Sequence, residues 1–173
     1  KQFGMQDTSF ASVRSLLRAP TTHHGHGRAQ VPYVFDSQLL SQSPKLLRDF
    51  PSLPSFATPP AWLNKEALGL QLDVPQLYVG RAGSGSPMHF HSDAWNACFK
   101  GEKRYALLPP EAAVYSVTPL QEWLKEVVDA ETKKQILWCT QQSGDVMFVP
   151  GMYAHGVVNQ KKVLGVATEM LSR

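Results

Sequence analysis

The chain has 173 residues, enough for one domain with a sizeable hydrophobic core, and 43% of the residues are hydrophobic. Its 17 basic and 14 acidic side chains give a net charge of +3, too small and too scattered for a nucleic-acid-binding surface. Two cysteines exclude a disulfide-rich scaffold, and no apolar run approaches the ~20 residues of a membrane-spanning helix.

Residues 1–30 are predicted to form an N-terminal arm. Ser9 can cap a short helix that ends near Pro20 and has an apolar face made by Phe10, Val13, Leu16 and Leu17. The stretch THHGHGRAQ follows; it is polar and has no apolar periodicity, which favours a solvated loop. We therefore expect its three histidines, His23, His24 and His26, to bind metal at most adventitiously.

A compact domain is predicted over residues 31–173. VPYVFD indicates a short strand, and Ser43-Pro44 is typical of a helix start that leads into KLLRDF. The segment PSLPSFATPPAWL is too rich in proline for a regular element, so we expect Phe56 and Trp62 to attach it to the core.

The second half of the chain is a series of short apolar segments separated by glycine- and proline-bearing breaks, which predicts strands. These segments are QLYVGRA, SPMHFH, AWNACF, KRYALLP, QILWCT, DVMFVP, AHGVVN and KVLGVATEM. One helix is expected among them, capped by Thr118 and begun by Pro119, with a buried stripe of Leu120, Leu124, Val127 and Val128. The pattern favours a mainly β fold, a double-stranded β-helix of the jelly-roll or cupin type with a few peripheral helices.

Three other histidines form a candidate metal site. His89 and His91 lie two residues apart after a glycine-rich turn, and side chains with this spacing share one face of a strand. His155 follows a second glycine- and proline-framed strand, in GDVMFVPGMYAHGVVN. A pair from one segment and a single ligand from a distant one are an arrangement that can hold an ion and leave positions open for chemistry.

The region from Pro32 to Met170 resembles the JmjC (jumonji) domain of the cupin superfamily, and in particular the JmjC domain-containing protein 8 class. The motifs that carry the resemblance are PYVFD, RAGSGSPMHFH, KGEKRYALLPPE, PLQEWLKEV, LWCTQQSGDVMFVP and AHGVVN. The segment AWNACFKGEKRYALLP is also similar to the JmjC domain-containing protein 6 hydroxylase.

The resemblance implies an iron(II) centre with 2-oxoglutarate as cosubstrate, and no catalytic side chain apart from the metal centre. It places the first and last metal ligands at His89 and His155. Lys103 matches the lysine that pairs with the distal carboxylate of 2-oxoglutarate, and an ammonium group is a suitable anchor for a carboxylate. The further cosubstrate positions are Ser86, Tyr33 and Asn96.

The second ligand position departs from the family pattern. Active JmjC enzymes mostly carry H-x-D/E, whereas His91 stands here. Three arrangements follow: a three-histidine site, a shifted His91-x-Asp93 motif with His155, or a three-histidine site in which Asp93 accepts a hydrogen bond from His91. We favour the first, in which an imidazole replaces a carboxylate and leaves the centre one unit more positive.

These features support two main hypotheses. The first is a dioxygenase that hydroxylates a side chain of a protein substrate. The second is a catalytically silent JmjC fold that binds a partner subunit, with residues 1–30 and 51–60 as contact surfaces. A third is a cupin that uses three-histidine iron without 2-oxoglutarate. The resemblance suggests the endoplasmic-reticulum lumen as the compartment, and no motif in the chain supports it independently.

Overall fold

The computed structural model describes residues 22–24, 28–30, 33–36 and 75–170, and the single residues 18 and 45. Within these residues no helix is long and apolar enough to cross a membrane. The helices expected after Ser9 and Ser43 lie almost entirely outside the described residues, as does the proline-rich connection with Phe56 and Trp62.

Two short strands run through the segment that the sequence predicts to be a loop. β1 (Thr22–His24) pairs antiparallel with β2 (Arg28–Gln30), so that His23 lies opposite Ala29. The loop prediction is wrong at these positions because an antiparallel ladder is made of backbone hydrogen bonds and needs no apolar alternation. The boundary between an arm over 1–30 and a domain over 31–173 stays a prediction.

The main body consists of β3 (Tyr33–Asp36) and eight further strands. Each of the eight segments that the sequence predicts to be strands overlaps one of them, with ends that differ by at most two residues. They are β4 (Gln76–Gly80), β5 (Gly85–His89), β6 (Asp93–Lys100), β7 (Glu102–Leu108), β8 (Leu137–Gln142), β9 (Val146–Val149), β10 (Ala154–Asn159) and β11 (Val163–Met170).

The strands form two antiparallel sheets. One has the order β3-β4-β11-β6-β9 and the other the order β5-β10-β7-β8. Chain neighbours such as β4 and β5, or β10 and β11, belong to different sheets, so the chain passes repeatedly from one sheet to the other. This topology is the double-stranded β-helix, and it confirms the predicted fold class.

The inner faces of the two sheets enclose one part of the core. Tyr105, Leu107 and Val157 pack there with Met147 and Cys139, which brings residues of the two sheets together. The outer face of the four-stranded sheet buries Met88, Ala106, Leu108, Ala154 and Val158 against Leu120 and Trp123 of the helical segment. His155 and Lys103 of the site described below face the inner side, because they lie two residues from Val157 and Tyr105.

Short helices cover that outer face. They are a 3-10 turn at Pro110–Ala112, α1 (Leu120–Glu122), a π-helical turn at Trp123–Val127 and α2 (Ala130–Lys134), which Asp129 caps.

Two predictions for this helical segment are wrong. Thr118 does not cap α1, because the residue at the N-cap is Pro119 and no side chain makes a capping hydrogen bond there. Val127 is 56% exposed, whereas Trp123 is 3% exposed. The wider π turn changes the phase of the helix and turns Trp123 rather than Val127 to the core.

A β-bulge interrupts the pairing of β5 with β10. His89 lies opposite His155 and Ser86 lies opposite Val157, so two residues of β5, Pro87 and Met88, oppose the single residue Gly156 of β10. Directly opposed residues point to the same side of a sheet, and His155 and Val157 share a face because they are two residues apart. Ser86 therefore shares the face of His89 although their spacing is odd.

Candidate metal centre and the adjoining polar pocket

Three imidazoles converge at one end of the four-stranded sheet. His89 ends β5, His155 lies in β10, and His91 lies in the link between β5 and β6. The ring centroids of His89 and His155 are 4.3 Å apart, those of His91 and His155 4.7 Å, and those of His89 and His91 5.6 Å. One nitrogen from each ring lies within 4.8 Å of the others, so the three could bind a single ion.

A main-chain carbonyl orients each of the three rings. Nδ1 of His89 lies 2.8 Å from the carbonyl oxygen of Pro87, Nδ1 of His91 lies 2.6 Å from that of Ser92, and Nδ1 of His155 lies 3.2 Å from that of Tyr153. A carbonyl oxygen only accepts, so Nδ1 carries the proton in each ring and donates it. The lone pair of every Nε2 is then free for a metal.

The surroundings of the site favour neutral imidazoles. Burial lowers the pKa of His89, and burial together with the neighbouring His89 and His91 lowers the pKa of His155 well below the usual value. Neutral rings are the form that coordinates metal, so these two ligands need not lose a proton at neutral pH.

The sequence suggests that His91 joins His89 because both lie on one face of a strand, but the structure positions His91 in another way. β5 ends at His89, and so the shared face of a strand does not explain the convergence of the pair. The carbonyl of His91 instead accepts a hydrogen bond of 2.9 Å from the N–H of Met152. Met152 has a φ of 65°, a left-handed conformation that is uncommon outside glycine, so the turn before β10 helps to hold His91.

Asp93, the alternative second ligand, has another partner. Its Oδ1 accepts a hydrogen bond of 2.6 Å from the N–H of Gly151, in the turn before β10. It is outside the group of ligand atoms that lie within 4.8 Å of one another. Nδ1 of His91 bonds to Ser92, so the arrangement in which His91 donates to Asp93 is not the one observed. Asp93 connects the start of β6 to the turn before His155.

Lys103 is buried in β7, with 1% of its surface exposed. Its Nζ lies 3.7 Å from the centre of the Tyr78 ring, 5.3 Å from that of Tyr105 and 3.5 Å from Oδ1 of Asn96. No ion pair joins it to a carboxylate of the described residues. Burial lowers the pKa of Lys103 from 10.5 to about 7, because removing the ammonium group from water without a counterion is costly.

Asn96 connects the lysine to the opposite sheet, and Gln141 of the lysine's own sheet bonds to Asn96 as well. Asn96 in β6 is buried and receives the hydrogen bond from Lys103, and its backbone carbonyl accepts one of 2.6 Å from Nε2 of Gln141. Oε1 of Gln141 accepts a hydrogen bond from the hydroxyl of Tyr105. Two of the predicted cosubstrate residues, Lys103 and Asn96, are thus in contact.

Tyr33 lies close to Tyr78 and Tyr105 and belongs to the same group of buried polar residues, which we call the polar pocket. It stands opposite Gly80 in the pairing of β3 with β4, and a side chain at Gly80 would run into the Tyr33 ring, Ser84 and Asn159. Glycine at position 80 therefore leaves room for these three groups to meet. Burial raises the pKa values of Tyr33, Tyr78 and Tyr105, so all three phenols are neutral at neutral pH.

Sequence reasoning did not assign Ser84 or Asn159 to the site. Asn159 is 1% exposed, and its Nδ2 donates to Oγ of Ser84 over 2.8 Å. The available signal was its place four residues after His155, an even spacing that keeps both on one face of β10. Ser86, which was assigned, lies on the face of His89 because of the bulge.

The family described as Cupin-like domain matches residues 2–169. Arginine-specific demethylase JMJ22 of Arabidopsis thaliana is 28% identical over 162 residues, which are 82% of this chain and 31% of that protein. The human 2-oxoglutarate and iron-dependent oxygenase JMJD4 is 33% identical over 134 residues, or 66% of this chain and 32% of that protein.

A third relative matches a shorter part. JmjC domain-containing protein 8 of Mus musculus is 31% identical over 84 residues, which are 47% of this chain and 31% of that protein. The chain spans about a third of the length of each of these relatives.

Proposed function

Because this chain belongs to the JmjC branch of the cupin superfamily, we propose that it is an iron(II)- and 2-oxoglutarate-dependent oxygenase that hydroxylates a side chain of a protein substrate. One observation carries the proposal: three imidazoles with free Nε2 atoms share an interior with a buried lysine that forms no ion pair with a described carboxylate. Two of these relatives are named for iron-dependent oxygenation or demethylation.

The donor set fits iron(II). His89, His91 and His155 would hold the ion through Nε2, and imidazole is a suitable ligand for ferrous iron. Bound iron and 2-oxoglutarate supply the activation of dioxygen and the transfer of one oxygen atom to the substrate. The carbonyl contacts of the three histidines keep the rings in one tautomer and orientation throughout.

The buried polar pocket would take the cosubstrate. Lys103 would anchor the distal carboxylate of 2-oxoglutarate, since an anion relieves the cost of a buried ammonium group. Tyr33, Ser86 and Asn96 would complete the contacts. The neutral phenols of Tyr78 and Tyr105 line the lysine and exclude water from it. A dry pocket strengthens the attraction between the ammonium and the carboxylate.

The test is turnover of 2-oxoglutarate by the purified chain. We expect succinate to form when iron(II), ascorbate and 2-oxoglutarate are present, at a rate that rises when a lysate-derived substrate fraction is added. His89→Ala should abolish it, and His23→Ala is the control because the sequence places His23 in the polar stretch whose histidines are expected to bind metal at most adventitiously. A wild-type rate equal to that of His89→Ala, with and without the substrate fraction, would contradict the proposal.

A second candidate is a catalytically silent JmjC fold that serves as a binding subunit. It is favoured by the carboxylate of Asp93, which bonds to Gly151 rather than joining the three imidazoles. A site of three neutral ligands differs from the H-x-D/E pattern in charge and in affinity for an anionic cosubstrate. Under this hypothesis the chain copurifies with a partner in fixed stoichiometry, and native mass spectrometry finds the same assembly for His89→Ala. A chain that is monomeric and turns over 2-oxoglutarate would rule it out.

A further inference from the structure

Asn159 carries a buried acceptor that no described residue satisfies. The side chain is 1% exposed, Nδ2 donates to Ser84, and Oδ1 is without a hydrogen-bond partner among the described residues. Buried polar atoms nearly always form hydrogen bonds, so an unpaired amide oxygen in the interior indicates that a donor reaches it in another state of the protein.

The orientation of the amide is fixed by chemistry. The hydroxyl of Ser84 donates its single proton to the carbonyl of Arg81 over 2.7 Å. Towards Asn159 the same hydroxyl can only accept, so the amide nitrogen must face it. A flipped amide would set two acceptors against each other. Oδ1 is therefore the atom left without a partner.

Lys103 lies directly opposite Asn159, and its ammonium group has more hydrogen-bond donors than there are acceptors within reach. Asn159 and Lys103 are paired in the register of β10 with β7, which places both side chains on one face of the sheet. A lysine ammonium has three donors, and the one acceptor within reach among the described residues is Oδ1 of Asn96, at 3.5 Å.

We propose that Asn159 is a positioning residue for Lys103: its Oδ1 accepts a hydrogen bond from the ammonium group, directly or through one water molecule, when an anionic ligand binds. The inference rests on the proposed binding of 2-oxoglutarate. With Asn96, Asn159 and the ligand carboxylate, each of the three N–H groups of the lysine has an acceptor. Asn159 thus favours the charged lysine without adding a negative charge that would repel the ligand.

The other titratable groups that face Lys103 add no counterion. They are Tyr78 and Tyr105, whose pKa values burial raises, the thiol of Cys98, whose pKa burial also raises, and the imidazoles of His89 and His155, whose pKa values burial lowers. Neutral neighbours leave the amide oxygens as the protein's own acceptors for the ammonium group.

The test measures binding of 2-oxoglutarate to the full chain loaded with Mn²⁺, by titration calorimetry between pH 6.5 and 8.5. Asn159→Ala should weaken binding about tenfold and leave the pH at which affinity begins to fall unchanged, because the contact forms only in the complex. Asn159→Asp has the same shape but pairs with the lysine in the free protein, so binding should weaken and its pH dependence should flatten. The exposed neighbour Gln160 provides the matched control, Gln160→Ala, which should bind like the wild type.

A double-variant cycle separates positioning from a structural role. In the Lys103→Ala background, Asn159→Ala should cause no further loss of affinity, whereas a structural defect would weaken binding equally in both backgrounds. Unchanged affinity in Asn159→Ala would overturn this inference alone. A wild-type chain that retains Mn²⁺ but does not bind 2-oxoglutarate would overturn the proposed function, and the inference with it.

Discussion

Replacing Lys103 by methionine should stabilise the ligand-free protein while it removes the anchor for 2-oxoglutarate. The fall of the lysine pKa from 10.5 to about 7 corresponds to roughly 5 kcal/mol, at about 1.4 kcal/mol per pKa unit. This is the cost of carrying the charged group into the folded protein. The linear apolar chain of methionine fills similar space without a charge.

The stabilisation caused by Lys103→Met should become smaller as the pH rises. Between pH 7 and 10.5 the unfolded wild type binds more protons at this lysine than the folded protein does, so wild-type stability rises with pH. The full cost of roughly 5 kcal/mol applies below pH 7. It falls to about 4 kcal/mol at pH 7 and to about 2 kcal/mol at pH 9. Contact with the Tyr78 ring offsets part of it. We expect Lys103→Met to raise the free energy of unfolding by about 2 to 4 kcal/mol at pH 7 and by about 1 to 2 kcal/mol at pH 9.

Urea unfolding of the metal-free chain at pH 6, 7, 8 and 9 measures the difference. The exposed Lys100 gives the matched control, and Lys100→Met should change stability by less than about 0.5 kcal/mol at every pH. The reasoning is refuted if Lys103→Met is no more stable than the wild type, or if its advantage does not shrink as the pH rises.

Three further outcomes are expected. His89→Ala and His155→Ala should each lower metal affinity on the order of 100-fold or more, while His23→Ala leaves the metal content of dialysed protein unchanged, as measured by atomic emission. Asp93→Asn should cost about 1 to 2 kcal/mol of unfolding free energy, because the Gly151 N–H loses its carboxylate acceptor, and the metal content should not change; a loss of metal with unchanged stability would instead make Asp93 a ligand. The affinity of the wild type for 2-oxoglutarate should fall between pH 7 and 9, by at most about tenfold per pH unit, because a lysine with a pKa of about 7 must take up a proton when the anion binds. A dissociation constant that is flat across this range in titration calorimetry would contradict that linkage.

The strands were predictable from the sequence because they are short apolar segments, and most of them are separated by breaks that contain glycine or proline. The bulge and the π turn were not, since each is a one-residue change of phase that depends on the partner element. The bulge decides the orientation of Ser86, which simple alternation would place on the face opposite His89. The π turn decides that Trp123, and not Val127, is buried.

Parts of the candidate site were also unpredictable from the sequence, because they depend on contacts between distant segments. The sequence identified three histidines from spacing, but the position of His91 depends on a backbone hydrogen bond from Met152, 61 residues away in a turn with a left-handed residue. Lys103 lies in KGEKR, which taken alone is typical of a charged surface cluster. Its neighbour Arg104 does lie outside and stacks on Trp138, with 4.3 Å between the guanidinium carbon and the ring centre. Only the family resemblance distinguished the two basic residues in advance.

The carbonyl contacts of the three histidines have a consequence for variation and for design. Each acceptor belongs to the backbone and lies within two residues of the ring that it orients, at Pro87, Ser92 and Tyr153. Exchange of a distant side chain cannot abolish such a contact, because the acceptor is present whatever the residue. Ring orientation is thus a property of two short peptides, and transplanting these peptides into another β-barrel would transfer it, provided that their backbone conformation is retained.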